Sequence, residues 1–92
     1  MSVTIRVPTP LRGLTGGAAE VAVAGDTVAA VIAALDSAHP GTGARVLDET
    51  GALRRFVNVY VGDEDVRFLD GLKTAVEDGA TVSIIPAVAG GS

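Results

Sequence analysis

The sequence predicts an α+β domain in which a mixed β-sheet packs on one main helix. Segments with alternating apolar residues lie near both ends of the 92-residue chain, and such alternation is typical of half-buried strands. Between them lies one segment in which apolar residues recur at helical spacing. No internal repeat, linker or low-complexity block divides the chain, so we expect one small domain with one core.

The first 24 residues predict a β-hairpin. Val3, Ile5 and Val7 alternate with polar residues, and Pro8 stops this strand because proline has no N–H to donate to a ladder. The stretch LRGLTGG is predicted to be a loop. Residues 20–24 then form a second strand, antiparallel to the first.

The main helix is predicted to begin after GDT, where Asp26 or Thr27 can accept a hydrogen bond from a free backbone N–H of the first turn. Apolar residues at i, i+3, i+4 and i+7 then share one face; they are Val28, Val31, Ile32 and Leu35. Pro40 and Gly41 end the helix. His39 is interpreted as a cap, because a protonated His is favourable at the negative end of the helix dipole.

The second half of the chain predicts two further strands and a short pairing. In RRFVNVYVGDEDV, alternate residues are Val57, Val59 and Val61 on one face and Phe56, Asn58 and Tyr60 on the other. Before it, Val46 and Leu47 are expected to form a turn under the sheet. After it, GDED turns the chain and residues 66–69 pair briefly. A short helical turn and a tight Asp78–Gly79 turn precede the last strand, ATVSIIP.

Pairing of the last strand beside the first, in parallel, gives the β-grasp or ubiquitin-like arrangement. It has about four to five strands in a mixed sheet on one main helix. The predicted inward residues are Val3, Ile5, Val7, Val21, Val23, Val57, Val59, Val61, Val82 and Ile84. We expect residues 1–86 to form this domain and residues 87–92 to form a flexible C-terminal diglycine tail.

The composition excludes several functions. Without Cys there is no disulfide, thiolate metal site or cysteine nucleophile, and His39 is the only His. No nucleophile–base pair can be assembled, so we expect no enzyme and no metal site. The acidic 63–65 run is interpreted as a solvated turn, since its spacing matches no EF-hand loop.

Charge and hydropathy predict a soluble, cytoplasmic protein. The net charge is −4 with seven scattered Lys and Arg residues, a poor match to nucleic acid or anionic lipid. No apolar run has the length of a signal peptide core or of a membrane helix.

The C-terminal stretch VEDGATVSIIPAVAGG resembles the signature of the ThiS/MoaD sulfur carriers: an acidic turn, an alternating strand, a proline, and small residues closing on Gly-Gly. RRFVNVYVGDEDVRF and IIPAVAGG resemble in particular the CysO-type carriers of cysteine biosynthesis. The likeness covers most of the chain and is densest over residues 54–91.

The resemblance implies that an E1-like enzyme adenylates the carboxylate of Gly91 and that sulfur then replaces the adenylate, leaving a thiocarboxylate. The residues before it would enter partner active sites; they are Ala87, Val88, Ala89 and Gly90. A PLP-dependent cysteine synthase would take the sulfur, and a JAMM-type zinc peptidase would release the cysteine. The carrier itself would bind no cofactor, and ATP, PLP and zinc would belong to these partners.

Ser92 departs from the family pattern, in which the working form ends at the second Gly. Either a peptidase removes Ser92, or Ser92 is a cloning remnant, or this chain is inactive as a carrier. The carboxyl group of Gly91 is locked in a peptide bond while Ser92 is present. We expect removal by analogy with the family, in which a JAMM-type peptidase that cleaves after the diglycine trims some members.

The exposed face of the sheet is a candidate partner-docking face. Phe56, Tyr60 and Ile85 are predicted to lie there, and exposed aromatic residues often mark a partner site. Cover by segment 41–51 or by the loop after Val66 is the alternative.

Other functions stay open on the sequence. The same chemistry can serve molybdopterin or thiamin synthesis, and a ubiquitin-like modifier would instead form isopeptides through Gly91. A plain interaction module with an inert tail is a third possibility.

Overall fold

A mixed five-stranded sheet covers the main helix in the computed structural model, which describes residues 2–86. The elements are β1 (Ser2–Arg6), β2 (Glu20–Ala24), α1 (Val28–Ala38), α2 (Thr42–Val46), β3 (Val57–Val61), β4 (Glu64–Asp65) and β5 (Thr81–Pro86). The strand order is β2-β1-β5-β3-β4. β1 and β5 are parallel and the other neighbours are antiparallel. The predicted α+β, β-grasp architecture is therefore confirmed.

The core is aliphatic and lies between the sheet and α1. The four residues predicted for the buried face of α1 are all buried. Of the predicted inward strand residues, seven are buried, whereas Val21, Val23 and Val61 are half-buried and pack on the core edge. Val46 is also buried, as predicted, but it belongs to a short helix, α2, that packs against α1.

The start of α1 depends on two small residues. Thr27 is the N-cap, and its Oγ1 accepts a 3.1 Å hydrogen bond from the backbone N–H of Ala30. Gly25 precedes it at a close approach, because a Cβ there would lie 2.9 Å from the backbone nitrogen of Val31. At the other end, His39 is the C-cap and its backbone N–H donates to the carbonyl of Leu35 at 2.8 Å.

The predicted loop at LRGLTGG is wrong, since Thr9–Thr15 forms a 3₁₀ helix. Pro10 lies in its first turn, where a missing N–H costs nothing. Leu11 is buried and anchors the segment to the core. The hydroxyl of Thr15 donates to the carbonyl of Arg12 at 3.2 Å and closes the turn.

The predicted pairing of residues 66–69 is also wrong. The short edge strand is Glu64–Asp65, and Val66–Phe68 forms a 3₁₀ turn instead. Burial of Val66 pulls the chain inward, and the Asp65 carboxylate accepts a 2.8 Å hydrogen bond from the backbone N–H of Arg67. This side-chain bond stabilises a turn where the pattern favours a strand.

Candidate functional site at the end of strand β5

The strand that leads to the diglycine segment lies in the middle of the sheet. β5 is bonded to β1 on one side and to β3 on the other, so Ser83 faces Arg6 in one ladder and Tyr60 in the other. Pro86, the last described residue, pairs with Val57. β5 is therefore paired on both sides up to Ser83 and with β3 alone from Ile84 to Pro86, where the tail begins.

The residues with predicted chemical roles follow Pro86 and lie outside the described residues. They are Ala87, Val88, Ala89, Gly90, Gly91 and Ser92. The roles assigned to them stay predictions.

A cleft of about 520 Å³ opens beside the last residues of β5. It forms because the pairing of β1 with β5 ends at Arg6 and Ser83, whereas β5 continues to Pro86. Past β1 the chain enters the 3₁₀ helix, and this helix contributes Arg12 to the cleft wall. The cleft thus borders the base of the tail.

The polar groups of this cleft are basic on balance. Arg12 donates from Nε to the carbonyl of Val7 at 3.1 Å, which holds its guanidinium in place. Arg6 and Glu20 face each other across β1 and β2, but their closest side-chain atoms are 4.0 Å apart and both side chains are mostly exposed. Such an exposed pair contributes little to stability.

Two of the three residues predicted for partner docking, Tyr60 and Ile85, lie on the outer face of the sheet, which turns away from α1; the third, Phe56, lies in the turn that precedes β3. Phe56 is 53% exposed and Ile85 is 47% exposed, whereas Tyr60 is half-buried. Ile85 pairs with Asn58, and Val57 and Val59 are buried on the opposite face. The predicted alternation of β3 is confirmed, and an apolar surface lies beside the end of β5.

The loop after Val66 covers part of this outer face, as the alternative interpretation expected. Arg67 donates from Nη1 to Oδ1 of Asn58 at 2.7 Å. Phe56 and Ile85 nevertheless keep about half of their surface exposed. The face is therefore bordered by an arginine rather than closed.

Sequence reasoning missed the most exposed aromatic residue. Phe68 is 87% exposed in the 3₁₀ turn after β4, and Leu69 beside it is 40% exposed. The adjacent apolar residues of VRFLD could have indicated this exposed pair. The segment was predicted to be a strand, however, and neighbouring strands would have covered Phe68 and Leu69.

The described residues offer neither a metal site nor a membrane-spanning helix. Among residues 2–86, no three His, Cys, Asp or Glu side chains lie close enough together to hold a metal ion. The acidic run at 63–65 forms a turn and an edge strand, as predicted for the turn. Within the same range, no helix has both the length and the apolar character required to span a bilayer.

Comparison with known proteins gives consistent matches along the chain. The ThiS family matches residues 5–91. The sulfur carrier protein CysO of Mycobacterium tuberculosis is 53% identical over 93 residues, which cover 99% of this chain and 100% of CysO. Small archaeal modifier protein 3 of Haloferax volcanii is 38% identical over 65 residues, which cover 71% of this chain and 70% of that protein.

A solved structure shows the same fold at high identity. It is the crystal structure of the BexX/CysO complex of Amycolatopsis orientalis, in which the matched chain is 51% identical and superposes with a TM-score of 0.91. The match covers 96% of this chain and 98% of that chain. The resemblance predicted from the C-terminal motif is thus confirmed over nearly the full length.

Proposed function

Because this chain belongs to the ThiS family, we propose that it carries sulfur as a thiocarboxylate on Gly91 and donates it as sulfide, chiefly for cysteine biosynthesis. The observation that carries this proposal is the diglycine segment, placed directly after a central strand in a chain that is 53% identical to a sulfur carrier protein.

The tail needs activation because a carboxylate is a poor acylating group. In the proposed first step, an E1-like enzyme lets the Gly91 carboxylate attack the α-phosphate of ATP, which forms the acyl adenylate and releases pyrophosphate. Sulfide then attacks the carbonyl carbon, the bond from that carbon to the AMP oxygen breaks, and AMP leaves. Loss of the proton on sulfur leaves the thiocarboxylate.

Ser92 must leave before this chemistry begins. Its amide occupies the carbonyl carbon of Gly91, so no free carboxylate exists there until the Gly91–Ser92 bond is hydrolysed. A JAMM-type zinc peptidase is the proposed catalyst, and the same kind of enzyme would release cysteine from the carrier after sulfur transfer.

The division between a rigid domain and a small-residue tail suits this role. β5 is paired with β1 up to Ser83 and with β3 up to Pro86, which fixes the strand from which the tail leaves. From there, residues 87–91 reach about 17 Å when extended. Glycine has no Cβ and allows close approach of an enzyme's backbone, so a narrow channel can admit the reacting carbon.

Cysteine synthesis is the proposed acceptor pathway, with a PLP-dependent synthase receiving the sulfur. The identity to CysO supports this choice over donation for molybdopterin or thiamin. The Amycolatopsis CysO was crystallised in complex with BexX, which supports the proposal that this chain also docks on enzymes, through the face that contains Phe56, Tyr60 and Ile85.

A second candidate function is protein modification through Gly91. The 38% identity to small archaeal modifier protein 3 favours it as the alternative. Adenylation is common to both functions, but a modifier would transfer its acyl group to a lysine amine and form an isopeptide. Detection, in the native cell, of larger proteins to which this chain is covalently attached would support the modifier function.

Intact mass spectrometry tests the proposal. The chain is purified from its native cells and then incubated with ATP, sulfide and the E1-like enzyme of the same cells. We expect the chain from native cells to lack the mass of Ser92. After incubation, its mass should rise by the difference between one sulfur and one oxygen atom. A variant that lacks residues 90–92 is the control and should gain no sulfur. A wild-type chain that keeps Ser92 and never changes mass would contradict the carrier function.

A further inference from the structure

The charges of this acidic protein are separated along the strand direction. Although the net charge is −4, five of its seven basic residues lie near the end of the sheet where β5 finishes. We call this set the basic collar; it consists of Arg6, Arg12, Arg54, Arg55 and Arg67. The other two basic residues lie outside the sheet, Arg45 on α2 and Lys73 in the 3₁₀ turn Gly71–Lys73.

Two of the collar residues follow from the path of β1. β1 runs parallel to β5, so its last residue, Arg6, lies beside Ser83 near the end of β5. Arg12 is tied to the same end, because its Nε donates to the carbonyl of Val7 at 3.1 Å. Both side chains border the cleft beside Pro86.

The other three collar residues surround the start of β3. Arg54 and Arg55 come shortly before Val57, which pairs with Pro86 in the antiparallel ladder. Arg67 reaches this region from the far side of β4 and donates from Nη2 to the carbonyl of Arg54 at 2.9 Å. The sheet topology therefore gathers charges that are scattered in sequence.

The opposite end of the sheet is acidic. The Asp78 carboxylate accepts a 2.7 Å hydrogen bond from the backbone N–H of Ser2, which places it at the start of β1. The turn after β3 is at this end too, since Gly62 donates to the carbonyl of Thr81. The acidic residues here are Asp26, Asp63, Glu64, Glu77 and Asp78.

We propose that the basic collar docks against an acidic rim around the active-site channel of the E1-like enzyme that adenylates the tail. This inference rests on the proposed function, in which residues 87–91 enter such a channel. An extended tail puts Gly91 about 17 Å from Pro86, so the collar lies too far from the reacting carbon to hold a nucleotide phosphate. The surface that meets it is the protein around the channel entrance.

The separation of charge also selects the orientation of approach. An acidic rim attracts the collar and repels the acidic end of the sheet, so the domain arrives with the tail leading. Glu20 faces Arg6, Asp48 lies near Arg54, and the Asp65 carboxylate accepts a hydrogen bond from the backbone N–H of Arg67. Three carboxylates against five arginines leave the collar an excess of positive charge. Hydrogen bonds already hold Arg12, Arg54 and Arg67, which lowers the entropy lost on docking.

The experiment uses the two collar residues whose side chains make no short hydrogen bond within residues 2–86. The double variant Arg6→Gln/Arg55→Gln removes two charges without removing a structural bond. Its matched control is Arg45→Gln/Lys73→Gln, which has the same net charge. The Kd of each full-length chain for the E1-like enzyme is measured by titration calorimetry at low and at high salt.

We expect the collar variant to bind about tenfold more weakly than wild type at low salt, and the difference to shrink to about twofold near 0.5 M salt because ions screen the attraction. The control variant should stay within about twofold of wild type at both salt concentrations. Circular dichroism of both variants should match wild type, which separates docking from folding.

Equal Kd values and equal salt dependence for the collar and control variants would overturn the proposal, as would failure of the wild-type chain to bind at all. Intact mass of the same samples distinguishes this from failure of the proposed function. A wild-type chain that gains sulfur while the collar charges have no effect leaves the carrier function standing. Collar-dependent binding without any gain of sulfur supports the collar and contradicts the chemistry.

Discussion

Arg67 crosses the outer face of the sheet and donates a 2.7 Å hydrogen bond from Nη1 to Oδ1 of Asn58. Its second terminal nitrogen donates to the carbonyl of Arg54 at 2.9 Å. One side chain thereby joins the turn after β4 to β3 and to the segment that precedes β3. It also forms one border of the apolar surface around Ile85, which Asn58 pairs with.

Replacement of Arg67 by Ala should lower the free energy of unfolding by about 1–2 kcal/mol, because two exposed hydrogen bonds are lost. Urea denaturation monitored by circular dichroism measures this. Arg55→Ala is the matched control, as Arg55 makes no side-chain hydrogen bond within the described part of the chain. If both variants unfold at the same urea concentration, Arg67 does not join these segments in solution.

Substitutions on the proposed docking face should weaken recognition by the E1-like enzyme. Phe56→Ala and Ile85→Ala should each raise the KM for adenylation about five- to tenfold, because each removes an exposed apolar contact. The measurement is pyrophosphate release by the E1-like enzyme.

Phe68→Ala is the control for the docking face, since Phe68 is also exposed but lies in the turn after β4. It should leave the KM unchanged. If Ile85→Ala and Tyr60→Ala are both activated with the KM of wild type, the outer face is not the docking site.

The approach of the chain to α1 requires glycine at position 25. A Cβ there would lie 2.9 Å from both the backbone nitrogen and Cγ2 of Val31. We expect Gly25→Ala to destabilise the fold by about 1–3 kcal/mol, because the helix start must shift to make room.

Thermal denaturation of Gly25→Ala and of Gly13→Ala gives the comparison. A Cβ at Gly13 would meet no atom within 4 Å, so that variant should keep its melting temperature to within a few degrees. An equally stable Gly25→Ala would show that the close approach does not exist.

The Asp48 carboxylate titrates below its ordinary range. The hydroxyl and the backbone N–H of Thr50 both donate to its Oδ1, at 2.5 and 2.8 Å, and these bonds lower the pKa of Asp48. A lowered pKa in the folded state means that this carboxylate stabilises the fold above its unfolded pKa of 3.8, and that the contribution is lost as the pH falls through the folded value.

Thr50→Ala should therefore move the pKa of Asp48 up towards 3.8, since the largest lowering cause is removed. Carboxyl chemical shifts followed by NMR during an acid titration report it directly. Thr9→Ala serves as the control and should leave the pKa of Asp48 unchanged. An unchanged Asp48 pKa in Thr50→Ala would mean that the hydroxyl bond is absent in solution.

The strands and α1 could be predicted because their side chains repeat with a clear period. The alternation at Val3, Ile5 and Val7 and at Val57, Val59 and Val61 depends on one buried face, and the structure buries or half-buries all six. The cap of α1 could be narrowed to Asp26 or Thr27, but the choice of Thr27 depends on the local backbone geometry.

The 3₁₀ segments could not be predicted from periodicity. Thr9–Thr15 is too short to show a pattern, and it forms because Leu11 is buried and the hydroxyl of Thr15 closes the turn. Val66 is likewise drawn into the core from a segment that reads as a strand. The burial of Leu11 and Val66 depends on core residues that are distant in sequence, and spacing does not record it.

The candidate site was only partly accessible to sequence reasoning. The outward parity of Tyr60 and Ile85 follows from alternation and is confirmed. The basic collar depends on which strand ends meet, and this is set by the parallel pairing of β1 with β5. In the sequence, its arginines are spread from position 6 to position 67.

The central place of β5 has a mechanical consequence. A pull on the tail is directed along β5, and the hydrogen bonds to β1 and β3 cross that direction on both sides. These hydrogen bonds are loaded in shear, so they must break together. Hydrogen bonds of a strand peeled from the edge of a sheet would instead break one after another. We therefore expect the domain to resist unfolding when force is applied to its tail, for example when the tail is withdrawn from a tight channel. The resistance comes from β5, which carries the force.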